Sequence, residues 1–585
     1  MRIARNPWLL LTLFGLLVLA TRLPLAPGQL FTFDDVNLAY SIGHYDIRIS
    51  QPQPPGYPLF VLEMRILHWL HFKRAESILL VLALLGSIVA LLAAVYCGNL
   101  IFGGDSGFWG ALVLWLAPTF WHAGITSALR VQLAIVSLGV AACCWKAWCG
   151  DGAWVTPGAI ALAIGAGIRP ETGVLLFPLW AVSALRAKVG WPRRLRALLW
   201  MALTVLTWLL PAMLASGGPL SFIRANLDYI SDQASVSSGL FGAAGGVWMR
   251  TFFRLVAWIF AILLGLVLAA VVAWRRGEGW GVGRQRWAFL GLWLLPAFAF
   301  ALNVHVEDPG QTLIMVVVVA LFSGFLIERA LGRIESQVAR YLLLPMLVAA
   351  WILGRAHLND TGPLLGLALT AAAAGAAFHF APVRNPGVLP RWEAALWLLA
   401  PVLYTNAIYF THHGWYYRGS ASGGIAAAAG QAWADLNSGF ALCSLDQVKD
   451  TLAVDDHSLR ETRRLAAERP GSIVVWEHGL VAWRKVGYYL PGVKVFVLDH
   501  KMIRGGNPVA DLWQGAGLLA RQQGPAPLRV TLPAGARVIW LLNPRTEFYE
   551  LVRQSFPLTA SGPVYYSELP AAAGSRVLRE YELAW

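Results

Sequence analysis

Charge is scarce in this chain. Of 585 residues only 13% are Asp, Glu, Lys or Arg, while 57% are hydrophobic, and so few charges cannot cover a soluble globule of that size. The composition is that of an integral membrane protein whose main partner is the lipid bilayer. Cysteine is scarce too. Cys97, Cys143, Cys144 and Cys149 lie in apolar runs, and Cys443 alone stands in the hydrophilic C-terminal stretch, so that stretch cannot form an internal disulfide. A zinc-spaced Cys/His set, a phosphate-cradling glycine loop and an internal repeat are all missing; the Gly281 and Gly283 pair sits in a basic stretch with no strand before it. The formal net charge of +14 is not gathered into one basic stripe but is spread in short clusters between apolar runs, which argues for orientation signals and against a nucleic-acid partner.

What the chain has is membrane-length apolar runs. Taking stretches of about 17–23 residues as spans gives about thirteen, near 7–26, 76–98, 107–123, 131–149, 153–168, 171–187, 195–215, 250–274, 287–303, 311–328, 341–357, 362–380 and 392–410. The first run follows Arg2 and Arg5 and has some features of a signal peptide; it is read as a retained helix, with the same orientation either way. With the N-terminus cytoplasmic, the internal loops carry Arg186–Arg196, Arg275–Arg286, Arg329–Arg340 and Arg384–Arg391, as the positive-inside rule requires. Many of the 28 tryptophans, among them Trp109, Trp121, Trp248 and Trp392, fall near the ends of runs, where interfacial belts recruit them.

This register sends the first loop (27–75), the Ser216–Arg250 loop, the Asn303–Gln311 turn and everything after Thr411 to the extracytoplasmic side of a bacterial-type inner membrane. The expected division is a transmembrane catalytic domain, 1–410, and a C-terminal domain, 411–585. In the latter Ser472–Trp476, Val493–Leu498 and Ala536–Leu542 read as buried strands, and Ser458–Arg469 has helical spacing, which makes an α/β domain. Tyr57–Leu70 is apolar but short and interrupted by Glu63 and Arg65, so it reads as a helix at the outer surface.

The first loop carries the candidate chemistry. Thr32 can cap a helix starting at Phe33, which places Asp35 where a carboxylate closes a capping box. That is a structural reading for Asp35; Asp34 is less needed for a cap, and Asn37 would project beside it one turn later. A carboxylate so held can take a proton from an attacking hydroxyl. Gln51–Pro58, with Gln53, Gly56 and Tyr57, contains four prolines and cannot be helical; it is either a plain connector or a stiff support for the loop. Polar residues at other helix ends on the same side are Arg74, His122, Arg130, Arg169 with Glu171, and His305 with Glu307 and Asp308. Singly each arginine has a snorkelling explanation; together they suit a lipid phosphate. His305, Glu307 and Asp308 also make a divalent cation a candidate cofactor, and His412-His413 is a weaker candidate of the same kind.

These residues resemble the GT-C superfamily of multi-pass glycosyltransferases that use polyprenyl-phosphate-linked sugars, in its protein O-mannosyltransferase-like and aminoarabinose transferase-like branches. Phe33-Asp34-Asp35 is similar to that group's acidic pair, and Gln53-Pro54-Pro55-Gly56-Tyr57-Pro58 to its proline motif. Phe120-Trp121-His122, Arg169-Pro170 and the His305–Gly310 turn resemble further elements, and Trp476–Pro491 resembles a recurring stretch of the C-terminal domain. Ala128 stands where relatives often place a glutamate, which puts weight on Asp34. The resemblance implies a GT-C-like α-helical membrane protein that moves a sugar, with inversion, from a polyprenyl-phosphate donor to an acceptor outside the membrane. Asp34 would be the base, Asp35 would orient it or the acceptor, some of Arg74, Arg130, Arg169 and His305 would bind the donor's phosphate, and Asn37, Gln53 and Tyr57 would shape the loop or meet the acceptor. The sugar and the acceptor, whether protein, lipid or glycan, are not legible. The rival expectations are a transporter or flippase of an anionic lipid-linked substrate, whose repeats and midplane polar groups are not found, and a membrane scaffold.

Overall fold

A computed structural model describes residues 6–238, 247–266, 282–331, 425–477, 483–502, 508–514 and 517–585, with residues 240, 270 and 481 and isolated positions in 391–410. The chain is a multi-pass helical membrane protein with a β-rich C-terminal domain. Among the described residues six helices are long and apolar enough to cross a bilayer: Pro7–Leu25, Ala75–Phe102, Ala128–Trp148, Trp191–Ala215, Arg284–Asn303 and Pro309–Leu331. The shorter runs near 153–168 and 171–187 form helices Val155–Ile168 and Pro170–Arg186. The expected spans 341–357 and 362–380 lie outside the described residues, as does most of 392–410.

Two expected spans differ in detail. The 107–123 run is not one rod: helices Ser106–Leu116 and Pro118–Thr126 meet at a bend of 63°, because Pro118 has no N–H to continue the ladder. Arg22, fully buried at the end of the first helix, donates from Nη2 to the Trp115 carbonyl at 2.8 Å, one of the carbonyls the break leaves without a helical partner. Its guanidinium also stands 4.6 Å from the Trp121 ring centroid. The 250–274 run is helical over Val247–Phe260 and passes into a 3₁₀ turn at Ala261–Leu266.

Between the first two spans lie two short helices, α1 (Phe33–Gly43) and α2 (Pro58–Trp69). Helix α2 is the apolar segment interrupted by two charges, and both charges are used. Arg65 donates to the Ser41 and Ile42 carbonyls at the end of α1, at 2.9 and 3.2 Å, and Glu63 accepts from Gln132 at 3.2 Å. Leu62, Ile66 and Trp69 form an exposed stripe on its other side, the signature of a helix at an apolar–polar boundary. The Ser216–Arg250 segment, expected as a loop, contains a helix, Pro219–Ser237.

In the C-terminal domain a seven-stranded sheet is built around three parallel neighbours, Lys494–Met502, Ile473–Trp476 and Arg537–Leu541. These are the three runs the sequence marks as strands. They are continuous apolar runs because both faces are covered: Val474, Val497 and Ile539 pack with Leu459 and Leu465 of helix Leu445–Glu468, while Val475, Leu498 and Trp540 pack with Phe548, Val552 and Phe556 on the other side.

Candidate active site

Helix α1 begins as its sequence demands. Thr32 Oγ1 accepts from the Asp35 N–H at 3.0 Å and the Thr32 N–H donates to Asp35 Oδ2 at 2.8 Å, a reciprocal capping box. Asp35 is buried, and burial pushes its carboxyl up to about 7 against the opposing Thr32 bonds. The cap leaves Asp34 free of any structural duty at the helix end. Its side chain is 28% exposed and its Oδ2 accepts from Arg130 Nη2 at 3.0 Å.

Arg130 reaches Asp34 from the first turn of Ala128–Trp148 and also lies 3.6 Å from Asp308 Oδ1 through Nε. Asp308 is held in turn by the Gly310 N–H at 2.7 Å. A side chain at Gly310 would place its Cβ 2.7 Å from Arg130 Cβ and 2.8 Å from Asp308 Oδ1, so only glycine lets this turn lie against the arginine. Arg169, between Val155–Ile168 and Pro170–Arg186, pairs through Nε with Glu171 Oε1 at 2.5 Å and lies 5.9 Å from the Tyr57 ring centroid. Tyr57 enters α2 with a positive φ of 45°, and the Gly56 before it has φ 114° with the Tyr45 hydroxyl 2.5 Å from where a Cβ would stand.

Burial under this roof pushes Asp34 up to about 6; the Arg169 charge opposes it, and Asp308 and Glu171 add to it. The direct Arg130 bond pulls the same way as Arg169, toward the carboxylate. His305 lies within the field of Glu307, Arg169 and Glu171, and burial lowers its proton affinity. Thus Asp34, Gln53, Tyr57, Arg130, Arg169 and His305, spread over nearly half the chain, come together at one end of the helical bundle.

Several polar atoms in this cluster have no partner among the described residues. Arg130 Nη1 and Arg169 Nη1 are buried without an acceptor, and Gln53, 2% exposed, faces Asp34 closely enough to favour its charged form yet has neither amide atom in full hydrogen-bond geometry. Asn37, fully buried one turn beyond Asp34, likewise has both amide atoms unpaired. Leaving a buried donor or acceptor unmade costs about 1–3 kcal/mol; here the Arg130 Nη1, Arg169 Nη1, Asn37 Nδ2 and Gln53 Nε2 groups are donors, and Asn37 Oδ1 and Gln53 Oε1 are acceptors.

Arg74 is not brought to this cluster. Its side chain is 70% exposed, 3.6 Å from Glu76 and near Tyr488. His305, Glu307 and Asp308 do not close into a ligand set, and among the described residues no three His, Cys, Asp or Glu side chains do. Sequence reasoning missed Tyr229 of Pro219–Ser237, which lies within the field of Asp34, Glu307 and Arg169. The seven-residue spacing of Phe222 and Tyr229, opposite the exposed Leu220, Ile223, Leu227 and Ile230, is the amphipathic signal that marks it.

Neither a family model nor a curated protein sequence matches the chain. Solved structures match it over nearly its whole length. ArnT from Cupriavidus metallidurans bound to undecaprenyl phosphate is similar with a TM-score of 0.51 and 14% identity, over 95% of this chain and 96% of that one. The apo state of the same protein gives 0.55 and 15%, over 96% and 98%. At that identity the likeness is one of fold.

Proposed function

We propose that this protein is a GT-C glycosyltransferase that moves a sugar from a polyprenyl-phosphate donor to an acceptor on the extracytoplasmic side of the membrane, with Asp34 as general base. The observation that carries the reading is a partly exposed carboxylate, Asp34, beside two buried arginines whose Nη1 atoms have no acceptor among the described residues. The likeness in fold to ArnT, a protein solved with undecaprenyl phosphate bound, supports a lipid-phosphate partner. The register of the positive loops supports the orientation, with residues 1–410 as the catalytic domain and 411–585 outside.

In the reaction the acceptor hydroxyl attacks the anomeric carbon while Asp34 takes its proton, and the carbon–oxygen bond to the phosphate breaks on the opposite face, inverting the centre. Departure of the polyprenyl phosphate concentrates negative charge on its oxygens, which Arg130 and Arg169 are placed to meet with charge-assisted hydrogen bonds. Asp35 holds the helix start that presents Asp34. Gln53, Asn37 and Tyr57 shape the loop or meet the acceptor, and His305 helps to hold the donor.

The test is transfer of radiolabel from a panel of polyprenyl-phosphate sugars by the purified protein in detergent, with a chelator arm. Label should move to an acceptor or to water with Asp34 intact and be lost in Asp34→Asn, with expression and folding near wild type. Full activity in Asp34→Asn sinks the assigned base. No turnover across a broad panel by folded protein favours a transporter instead.

A further inference from the structure

The C-terminal stretch Trp476–Pro491 has no part in the chemistry above, yet its short helix, Trp483–Tyr489, touches the catalytic loop before, along and after α1. Arg484 is 1% exposed and donates from Nη2 to the Ile49 carbonyl at 2.6 Å and from Nη1 to the Ser50 carbonyl at 2.7 Å. The same guanidinium lies 5.9 Å from the Phe33 ring and 5.8 Å from the Tyr40 ring, both on α1. Tyr488 meets Tyr40 edge-on with centroids 5.5 Å apart. Tyr489 accepts through its hydroxyl from the Leu30 N–H at 2.8 Å and donates to Glu76 Oε1 at 2.9 Å. Lys485, paired with the buried Asp455, lies 5.9 Å from the Phe31 ring.

We infer that Arg484 is a positioning residue for Asp34 and Gln53, and that this helix is the clamp through which the C-terminal domain holds the catalytic loop in its working arrangement. The geometry is specific. Ile49 and Ser50 end a 3₁₀ turn in which Ser50 has φ 54°, and the chain runs directly on into Gln51–Gly56, which carries Gln53 to Asp34. One planar fork can satisfy two consecutive carbonyls and lie against two rings; an ammonium cannot. Arg484 therefore joins the two segments whose separation sets the distance between Asp34 on α1 and Gln53 in the proline stretch. Tyr489 fixes a third point, the backbone two residues before the Thr32 cap.

The inference rests on the reading of Asp34 as a base, but its first test does not. Hydrogen–deuterium exchange of the full-length protein in detergent is compared among wild type, Arg484→Lys and Tyr489→Phe. The second variant keeps the ring and removes only the hydroxyl, so it guards against a misfolded first. Exchange is expected to quicken in 29–57 and to stay unchanged in Ala75–Phe102, Ala128–Trp148 and the strands of the C-terminal sheet. Exchange that is unchanged in 29–57, that rises only in the C-terminal domain, or that rises uniformly overturns the clamp. Where wild type transfers sugar, Arg484→Lys should lower kcat about tenfold or more, since small misplacements of reacting groups have effects of that order, while donor KM changes little. A rise in donor KM with kcat intact overturns the positioning role. Failure of wild type to transfer any sugar sinks the glycosyltransferase reading and leaves the exchange result to decide the clamp alone.

Discussion

Asp34 and Asp35 are neighbours in sequence with opposite environments. Asp35 spends its carboxylate on the helix cap, whereas Asp34 is partly exposed and accepts from an arginine, so the two respond differently to substitution. Asp34→Asn should abolish turnover with little effect on folding. Burial raises both carboxyls, to about 6 and about 7. A base must be unprotonated, so transfer activity should rise with pH through about 6, read from kcat/KM in a pH series. The sign for stability is opposite. Both groups hold protons more tightly folded than unfolded, where their ordinary value is 3.8. Their contribution is therefore fully present below about 4 and is lost as pH rises through about 6 to 7. Arg130→Lys or Arg169→Lys keeps the charge but loses the fork, and should raise donor KM roughly tenfold, about 1.4 kcal/mol.

At the scale of elements, α1 matters for where it begins. Thr32→Ala removes the side-chain half of the capping box, at a cost of about 1 kcal/mol, and loosens the turn that presents Asp34; Thr32→Ser retains it. Expected is a lower melting temperature and a lower kcat for Thr32→Ala, with both restored in Thr32→Ser. The start of α1 is legible in the sequence because a cap is local: its residues lie within one turn. The long membrane helices and the three central strands are legible for a related reason: strands covered on both faces, and helices facing lipid or their neighbours, both read as long apolar runs. The edge strands, such as Leu528–Thr531 with its alternating burial and Ser575–Leu578 with most of its side chains exposed, have no such run. The 63° bend at Pro118 is hidden by an apolar run that continues through it. Tyr229 is marked only by its seven-residue spacing from Phe222, because its helix turns an apolar stripe outward, which in a membrane protein does not by itself mark the core.

Across the whole molecule, the site draws on residues that sequence distance conceals. Arg130, Arg169 and His305 can be singled out as polar groups at the ends of apolar runs, but nothing local links Arg484 to Ser50, 434 residues away. Within the C-terminal domain Lys485 and Asp455 form a buried ion pair, both 1–2% exposed, and Lys485 also lies 5.9 Å from the Phe31 ring of the helical bundle. Pairs of this kind add little net stability, but breaking one strands a charge in the interior, at about 3–5 kcal/mol. Lys485→Met should therefore lower the thermal stability of the purified protein strongly, and the double variant Lys485→Met with Asp455→Leu should recover most of it, since an apolar pair of similar volume carries no desolvation cost. Because Lys485 stands beside Arg484 on the same helix, the single variant should also quicken exchange around Phe31, at the foot of α1. A double variant no more stable than Lys485→Met would show that Lys485 acts through its contact with Phe31 and the loop and not through Asp455.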